Sequence, residues 1–184
     1  MKYQERIIDH YKRVWSNQSN PYFWDKGPIE KLPHDFRILE FPPTSNRQMW
    51  TYATCSMSQP EDKSPIELHI FSSVQDTSLV ELLTTVVYYH RNTNSLDLNH
   101  TVNFGRPWQG ESFCEYGFIS LPYLDGPDLE NLCLSDQGKQ IKFYWLIPVT
   151  ELEVKYKSKF GIAALEKKFD EGLNYIDPLR QSLV

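Results

Sequence analysis

The sequence predicts an α+β fold: a single domain with a largely antiparallel or mixed central sheet and helices packed on it. Two groups of strand-like segments are separated by one long amphipathic helix, and helical segments begin and end the chain. No internal repeat or domain-separating linker occurs, and 184 residues fit one compact domain. A strict βαβ winding would instead alternate strands with helices.

The first half of the chain predicts a helix followed by three strands. Apolar side chains recur at helical spacing over residues 3–16, which indicates an amphipathic helix. Residues 36–41 and 48–57 are rich in aromatic and β-branched side chains and predict two strands. In residues 65–71 apolar and polar positions alternate, which predicts a third strand with one face in the core. We divide the chain into an N-terminal helix and connector, 1–34, and a main unit, 35–184, of the same fold.

A second helix follows the third strand. Ser78 and Glu81 have the spacing of a capping box, and apolar residues line one face as far as about Arg91. We expect this helix to cover one side of the sheet.

The second half predicts three more strands and two closing helices. The strands are residues 96–104, 116–121 and 141–147, and the last is apolar at nearly every position, as expected of a strand in the middle of the sheet. Thr150 and Glu153 form another capping box, and Gly161 separates the two helices.

Composition limits the classes of function. The net charge is −5 and the pI is about 5.5, which argues against non-specific nucleic-acid binding and suits a basic partner. The three cysteines are widely spaced and lack a C-x-x-C pair, so we expect neither a zinc cage nor a disulfide framework. The N-terminus has no signal-peptide pattern, and no apolar stretch is long enough to span a membrane. The sequence therefore predicts a cytoplasmic protein.

Histidines and acids offer one alternative, an enzyme. His100 alternates with Leu98 and Val102 in a predicted strand and is expected to face the core. No signature of a metal, acyl-transfer or phosphate-binding site is present, so we expect no metal and no cofactor. A small hydrolase or other enzyme with a site near His100, Glu111 and Asp125 remains the alternative function.

The segment NHTVNFGRPWQGES, residues 99–112, raises the question of a binding loop. Its glycines and proline indicate a turn, which leaves Arg106 and Trp108 as large side chains. Trp108 either caps the core or is exposed, and the pattern leaves both open. Trp and Arg often anchor protein interfaces, and the acidic loop LDGPDLE could complement a basic partner. We therefore expect Arg106, Trp108, Asp125 and Asp128 to line a partner-binding surface.

Several of these segments, taken in order, resemble the suppressor of fused family in its compact bacterial form. The resemblance runs from about Asp35 to Leu183 and includes PIELHIF, ELLTTVVYYHRN, NHTVNFGRPWQGES and YGFISLPYLDGPDLE. Its most specific part is a C-terminal signature that follows the strand IKFYWLI: Pro148, Glu151, Phe160-Gly161, Ala164-Leu165, Asp177-Pro178 and Arg180.

The resemblance implies an α+β domain that binds proteins and is not an enzyme. Animal members of the family hold a transcription factor, and many bacterial members are assigned a role as immunity proteins that neutralise a polymorphic toxin. In animal members the segment that corresponds to NHTVNFGRPWQGES, residues 99–112, borders the groove for the partner peptide, although the residues differ. The chain is too short for the second domain of the animal proteins, so the expected partner is a toxin rather than a transcription factor, and the oligomeric state stays open.

Overall fold

The computed structural model describes residues 2–27, 29–134 and 138–184. Its strands are β1 (Asn20–Tyr22), β2 (Arg37–Phe41), β3 (Trp50–Cys55), β4 (Ile66–Ser72), β5 (Thr101–Asn103), β6 (Cys114–Ser120), β7 (Asn131–Leu134) and β8 (Lys139–Thr150). Its helices are α1 (Tyr3–Trp15), α2 (Ser78–Asn92), α3 (Pro127–Glu130), α4 (Glu151–Phe160) and α5 (Ile162–Gly172), with a short 3₁₀ turn at Ile29–Lys31.

The described strands form one sheet in the order β1-β2-β3-β4-β8-β6-β5. Strand β7 is outside this linear order and pairs with β8. The β4–β8 pair is parallel, and the other pairs are antiparallel. The predicted α+β fold with a mostly antiparallel, mixed sheet is therefore confirmed.

Strand β8 is the centre of the sheet. One of its edges pairs with β4, while the other pairs with β7 near its start and with β6 from Trp145 onward. Both of its faces are covered by side chains of the core from Phe143 to Thr150. This explains its nearly continuous apolar sequence and confirms the predicted mid-sheet position.

Helices cover both faces of the sheet, and successive residues of each strand point to opposite faces. On one face, Leu68 and Leu146 pack with α2 in a large apolar cluster. On the other face, α1 covers β2, β3 and the start of β8 through Ile7 and Tyr11. The same face continues over β6 and the end of β8, where Trp145 packs near α5 and the C-terminal segment. We call these the α2 face and the α1 face.

Burial on both faces corrects the expectation for β4. The alternating pattern predicted one buried face, but all seven residues of β4 are buried. Helix α1 and its neighbours enclose Glu67 and His69, the polar positions of the alternating pattern. Both faces of β4 are therefore covered, one by α2 and the other by α1.

The two predicted capping boxes differ in outcome. At α4, the Thr150 hydroxyl accepts a hydrogen bond from the Glu153 N–H at 3.2 Å, and Glu153 accepts one from the Thr150 N–H at 2.8 Å, so this prediction is confirmed. At α2 the prediction is wrong, because the helix has no side-chain cap from its N-cap residue, Thr77. Asp76 accepts the Ser78 N–H at 2.9 Å instead.

The predicted strand 96–104 is shorter than expected, and its histidine faces the other way. The strand β5 covers only Thr101–Asn103, because Asn99 has a positive φ of 68° that ends the extended conformation. His100 is exposed and does not point into the core. The sequence also missed β1 and β7, both of four residues or fewer, and Pro21 in β1 is typical of an edge strand.

Glu67 carries a fully buried carboxyl group beneath α1. It accepts hydrogen bonds from the Ser58 and Thr54 hydroxyls, each at 2.6 Å, and from the backbone N–H groups of Ser58 and Met57. Burial nevertheless raises the pKa of Glu67 to about 7, because the hydrogen bonds to the carboxylate offset only part of the cost of desolvating its charge. The folded protein therefore holds this proton at pH values where the unfolded chain has released it.

This raised pKa predicts a pH-dependent stability. Between the usual value of 4.5 and about 7, the folded state binds more protons than the unfolded state, so the free energy of unfolding falls as pH rises, by roughly 3 kcal/mol in total. Urea melts of wild type and Glu67→Gln across pH 4 to 8 should show that the substitution removes this slope. Glu61→Gln, at an exposed carboxyl, should retain it; equal slopes in all three proteins would contradict the assignment.

Candidate functional site

The loop between β6 and α3 presents an apolar and acidic tip. The N–H groups of Asp125 and Gly126 both donate to the carbonyl of Pro122, at 2.9 and 3.0 Å, which closes a tight turn. Gly126 has a φ of 64°, a conformation that favours glycine, and Pro127 then begins α3. The turn leaves Tyr123 60% and Leu124 46% exposed.

Asp125 fixes this loop from beneath. Its carboxylate forms a bidentate ion pair with Arg47 from the β2–β3 connection, and the side chains are only 4% and 13% exposed. The indole N–H of Trp15, at the end of α1, donates to Asp125 Oδ1 at 3.0 Å. The loop, α1 and the β2–β3 connection are therefore tied at one carboxylate.

Arg47 is held in turn by its own surroundings. Its guanidinium carbon lies 5.0 Å from the ring centre of Trp15 and 4.8 Å from that of Phe71. Its Nε donates to the Thr51 hydroxyl at 3.2 Å. Stacking on two aromatic rings and pairing with a carboxylate compensate for removing this cation from water.

His69 lies beside this ion pair, but its imidazole does not take up a proton near neutral pH and so is not suited to acid–base chemistry. Its Nε2 is 3.8 Å from Asp125 Oδ2. Burial lowers the pKa of His69 to about 3, and the nearby Asp125 carboxylate offsets only part of this effect. Within the described ranges, neither of its ring nitrogens has a hydrogen-bond partner. His69 is therefore a neutral core residue.

A surface pocket of about 520 Å³ opens next to the loop. Arg13 and Val14 of α1 line one side, and Leu124, Asp125 and Asp128 line the other. Asp128 is exposed, whereas the Asp125 carboxylate is ion-paired with Arg47. The structure thus brings together two of the four predicted partner-binding residues.

The other two predicted residues lie on the α2 face. Trp108 is 1% exposed and packs in the cluster under α2, so of the two possibilities left open it caps the core. Arg106 donates to the Ser78 carbonyl at 2.7 Å, at the start of α2. Asp125, in contrast, contacts Trp15 on the α1 face, so the four residues do not form one continuous surface.

The residues of the alternative enzyme site are also dispersed. His100 lies at the surface before β5, Glu111 is exposed in the loop before β6, and Asp125 is buried against Arg47. No hydrogen bond or ion pair joins any two of them in the described part of the chain. Over the same residues, no group of three or more histidine, cysteine or acidic side chains could hold a metal ion. No described helix is long and apolar enough to cross a membrane.

Sequence reasoning missed Arg47 and Trp15 as partners of Asp125. They are 78 and 110 positions away in the chain, and no local spacing indicates such contacts. The exposed Tyr123 and Leu124 were also missed, although a pair of large apolar residues directly before a D-G-P turn was a usable signal.

A family profile described as suppressor of fused protein matches residues 33–181. The chain belongs to the suppressor of fused family. No curated protein sequence matches the chain. The crystal structure of a SUFU homolog from Neisseria gonorrhoeae FA 1090 is similar, with 30% identity, a TM-score of 0.86, and coverage of 99% of this chain and 97% of that one.

Two further solved structures share the fold at lower identity. The chain in the Sufu–Fu complex has 15% identity and a TM-score of 0.72, with coverage of 98% of this chain and 91% of that one. Drosophila Suppressor of Fused has 16% identity and a TM-score of 0.66, and the match covers 96% of this chain but 50% of the Drosophila chain. These matches show the fold of the domain.

Arg180, the last residue of the C-terminal signature, has a structural role. Arg180 forms two hydrogen bonds of 2.7 Å with the fully buried Glu153 carboxylate and donates to the Pro148 carbonyl at 2.8 Å. The Leu183 N–H also donates to Glu153, at 3.1 Å. Glu153 therefore caps α4 and anchors the C-terminal segment with the same carboxylate.

Removing the Asp125 carboxylate should destabilise the protein. Asp125→Ala leaves the Arg47 cation without its counterion between Trp15 and Phe71, and breaking such a buried pair costs roughly 3 to 5 kcal/mol. Asp128→Ala is the matched control, since this exposed carboxylate should contribute less than about 0.5 kcal/mol. Denaturant melts compare the two; similar stabilities for both variants would contradict the anchoring role of Asp125.

Proposed function

We propose that the chain is a non-catalytic, cytoplasmic protein-binding domain, and specifically an immunity protein that binds and neutralises a cognate toxin. The observation that carries the binding proposal is the segment 121–128, the loop after β6 and the start of α3, which exposes Tyr123 and Leu124 beside the Asp128 carboxylate. Membership of the suppressor of fused family supports the same class of function. In the Sufu–Fu complex, a relative with the same fold assembles with another protein.

The loop has the physical properties of a binding surface. Exposed aromatic and aliphatic side chains give apolar contact area, and a rigid backbone lowers the entropy lost on binding. Asp125 anchors the turn in the isolated chain through its buried ion pair with Arg47. The pocket beside the loop, between α1 and Leu124, can receive a side chain of the partner.

Charge indicates the kind of partner. Asp128 is exposed at the pocket, and the protein has a net charge of −5. An acidic surface accelerates association with a basic protein and disfavours acidic ones. We therefore propose that a basic patch of the toxin contacts this loop. Arg106 and Trp108 lie outside the proposed surface.

Reversing the charge of Asp128 should weaken the complex. We expect Asp128→Lys to lower the affinity for the cognate partner by about tenfold or more, with an unchanged thermal melt because the side chain is exposed. The control is Glu111→Lys, an equal charge reversal at an exposed position outside the surface, which should retain nearly the full affinity. Calorimetric titration gives both values; equal losses in the two variants would place the interface elsewhere.

The immunity proposal needs a partner from the same genetic locus. Co-expression with the product of an adjacent toxin-like gene should yield a complex that survives purification, and the chain should restore growth to cells that produce that toxin. Failure to bind and to protect would reject immunity. Protection by a variant that no longer binds would reject the proposal that neutralisation acts through binding.

A further inference from the structure

The last helix, α5, lies against the exposed tip of the segment 121–128, which consists of Tyr123 and Leu124. The Tyr123 hydroxyl donates to Glu166 Oε1 at 3.2 Å, although the two residues are 43 positions apart in the chain. This hydrogen bond holds the end of the tyrosine side chain, while the residue as a whole stays 60% exposed. Helix α5 is therefore a second element of the surface that carries the tip.

Helix α5 turns an acidic flank toward this tip. Leu165 is buried, and the Phe169 ring lies 6.0 Å from that of Phe118, so these positions of α5 face the sheet. Glu166 and Asp170 each follow one of them and, at about 100° per residue, lie one above the other on the flank of the helix. The flank that reaches the tip through Glu166 therefore carries two carboxylates one turn apart.

The carboxylates around the tip have no cation of their own, unlike other acids of α4 and α5. Lys155 pairs with Glu151 at 2.7 Å, and Lys168 pairs with Glu171 at 2.8 Å. In the described part of the chain, no ion pair is formed by the acids beside the tip, which are Asp128, Glu130, Glu166 and Asp170. These four charges are therefore free to attract a partner.

The four acids belong to one surface. Partial burial of the Tyr123 hydroxyl, followed by the charge of Glu166, raises the pKa of this tyrosine, and the charges of Asp170 and Glu130 act in the same direction. Asp128 lines the pocket beside the same tip. The tip thus joins the acids of α3 to those of α5.

Cations do not balance this surface. Arg13 lines the pocket from α1, and its guanidinium hydrogen-bonds to His10 Nδ1 at 2.8 Å. The buried Asp125–Arg47 pair is neutral as a whole. The two lysines of α5 act on Glu171 instead. Four carboxylates without an ion pair therefore share this surface with one guanidinium, which leaves an excess of negative charge.

The arrangement favours several separate cations over one metal ion. Among the described residues, no three acidic, histidine or cysteine side chains converge where a metal ion could bind. Glu166 and Asp170 repel each other, because like charges four positions apart destabilise a helix. Basic side chains of a partner would remove this repulsion in the complex, and they would find apolar contacts between them on Tyr123 and Leu124.

We infer that the partner-binding surface extends from the tip onto the acidic flank of α5, an extension that rests on the proposed function. The occupant is a segment of a basic protein with lysine or arginine at two places, one against Asp128 and one against Glu166 and Asp170. An apolar side chain between these basic residues would pack on the tip.

NMR titration of the ¹⁵N-labelled full chain with a synthetic peptide, a leucine between two pairs of lysines, tests this inference. We expect saturable shifts of the backbone amides of Tyr123, Leu124 and Asp170. Asp170→Lys should weaken peptide binding by about tenfold, and it should fold normally because the residue is exposed. The matched control is Glu171→Lys, the same charge change on α5 outside the acidic flank, which should change the affinity by less than about twofold.

The product of the adjacent toxin-like gene separates this inference from the proposed function. In calorimetric titrations with that protein, Asp128→Lys and Asp170→Lys should each lower the affinity by about tenfold and together by about hundredfold, because separate contacts add in free energy. A loss with Asp128→Lys but none with Asp170→Lys would overturn the extension onto α5 and leave the proposed surface intact.

Three results of the peptide titration would also overturn the inference. The first is the absence of saturable binding. The second is an equal loss in Asp170→Lys and Glu171→Lys, which would show that only the net charge matters. The third is equal binding of a peptide with glutamates in place of the lysines.

Discussion

The Asp125–Arg47 ion pair is the contact on which the candidate binding surface depends. It is buried between Trp15 and Phe71, and it joins the loop after β6 to α1 and to the β2–β3 connection. A buried ion pair is weak evidence of net stabilisation, because desolvation offsets much of its attraction. Its consequence is positional: Arg47 and the Trp15 indole N–H together hold the Asp125 carboxylate, and with it the loop, in one place.

Glu153 and Arg180 repeat this arrangement at the other end of the α1 face. The segment that follows α5 packs Tyr175 on Phe71 and Trp145 of the sheet. Beyond this contact, Arg180 reaches the buried N-terminus of α4 and the carbonyl of Pro148 in β8. One carboxylate satisfies backbone donors of the helix and of the C-terminal segment at once. In both cases an irregular segment is attached to the sheet by a buried charge pair rather than by apolar packing alone, which explains why polar residues occupy core positions.

The features that the sequence predicted correctly are those that depend on the spacing of residues close together in the chain. The stripe of α1, the capping box of α4 and the apolar run of β8 each follow from residues within one or two turns or along one strand, and the structure has all three. The alternation in β4 misled, because burial of Glu67 and His69 depends on α1, which is more than fifty residues away in the chain. The same limit applies to the site: Asp125 was identified as a candidate from its acidic loop, but its burial depends on Arg47, and no local pattern contains that information.

The separation of anchor from contact surface has a consequence for specificity. In the segment 121–128, Asp125 points into the protein while Tyr123, Leu124 and Asp128 remain exposed. The exposed side chains can change with little effect on folding, since substitutions at solvated positions alter stability only slightly. The anchor, however, cannot change without leaving Arg47 unpaired. A domain built in this way can vary the side chains at the tip of one loop while its backbone stays in place, and such variation changes which partners the tip can contact.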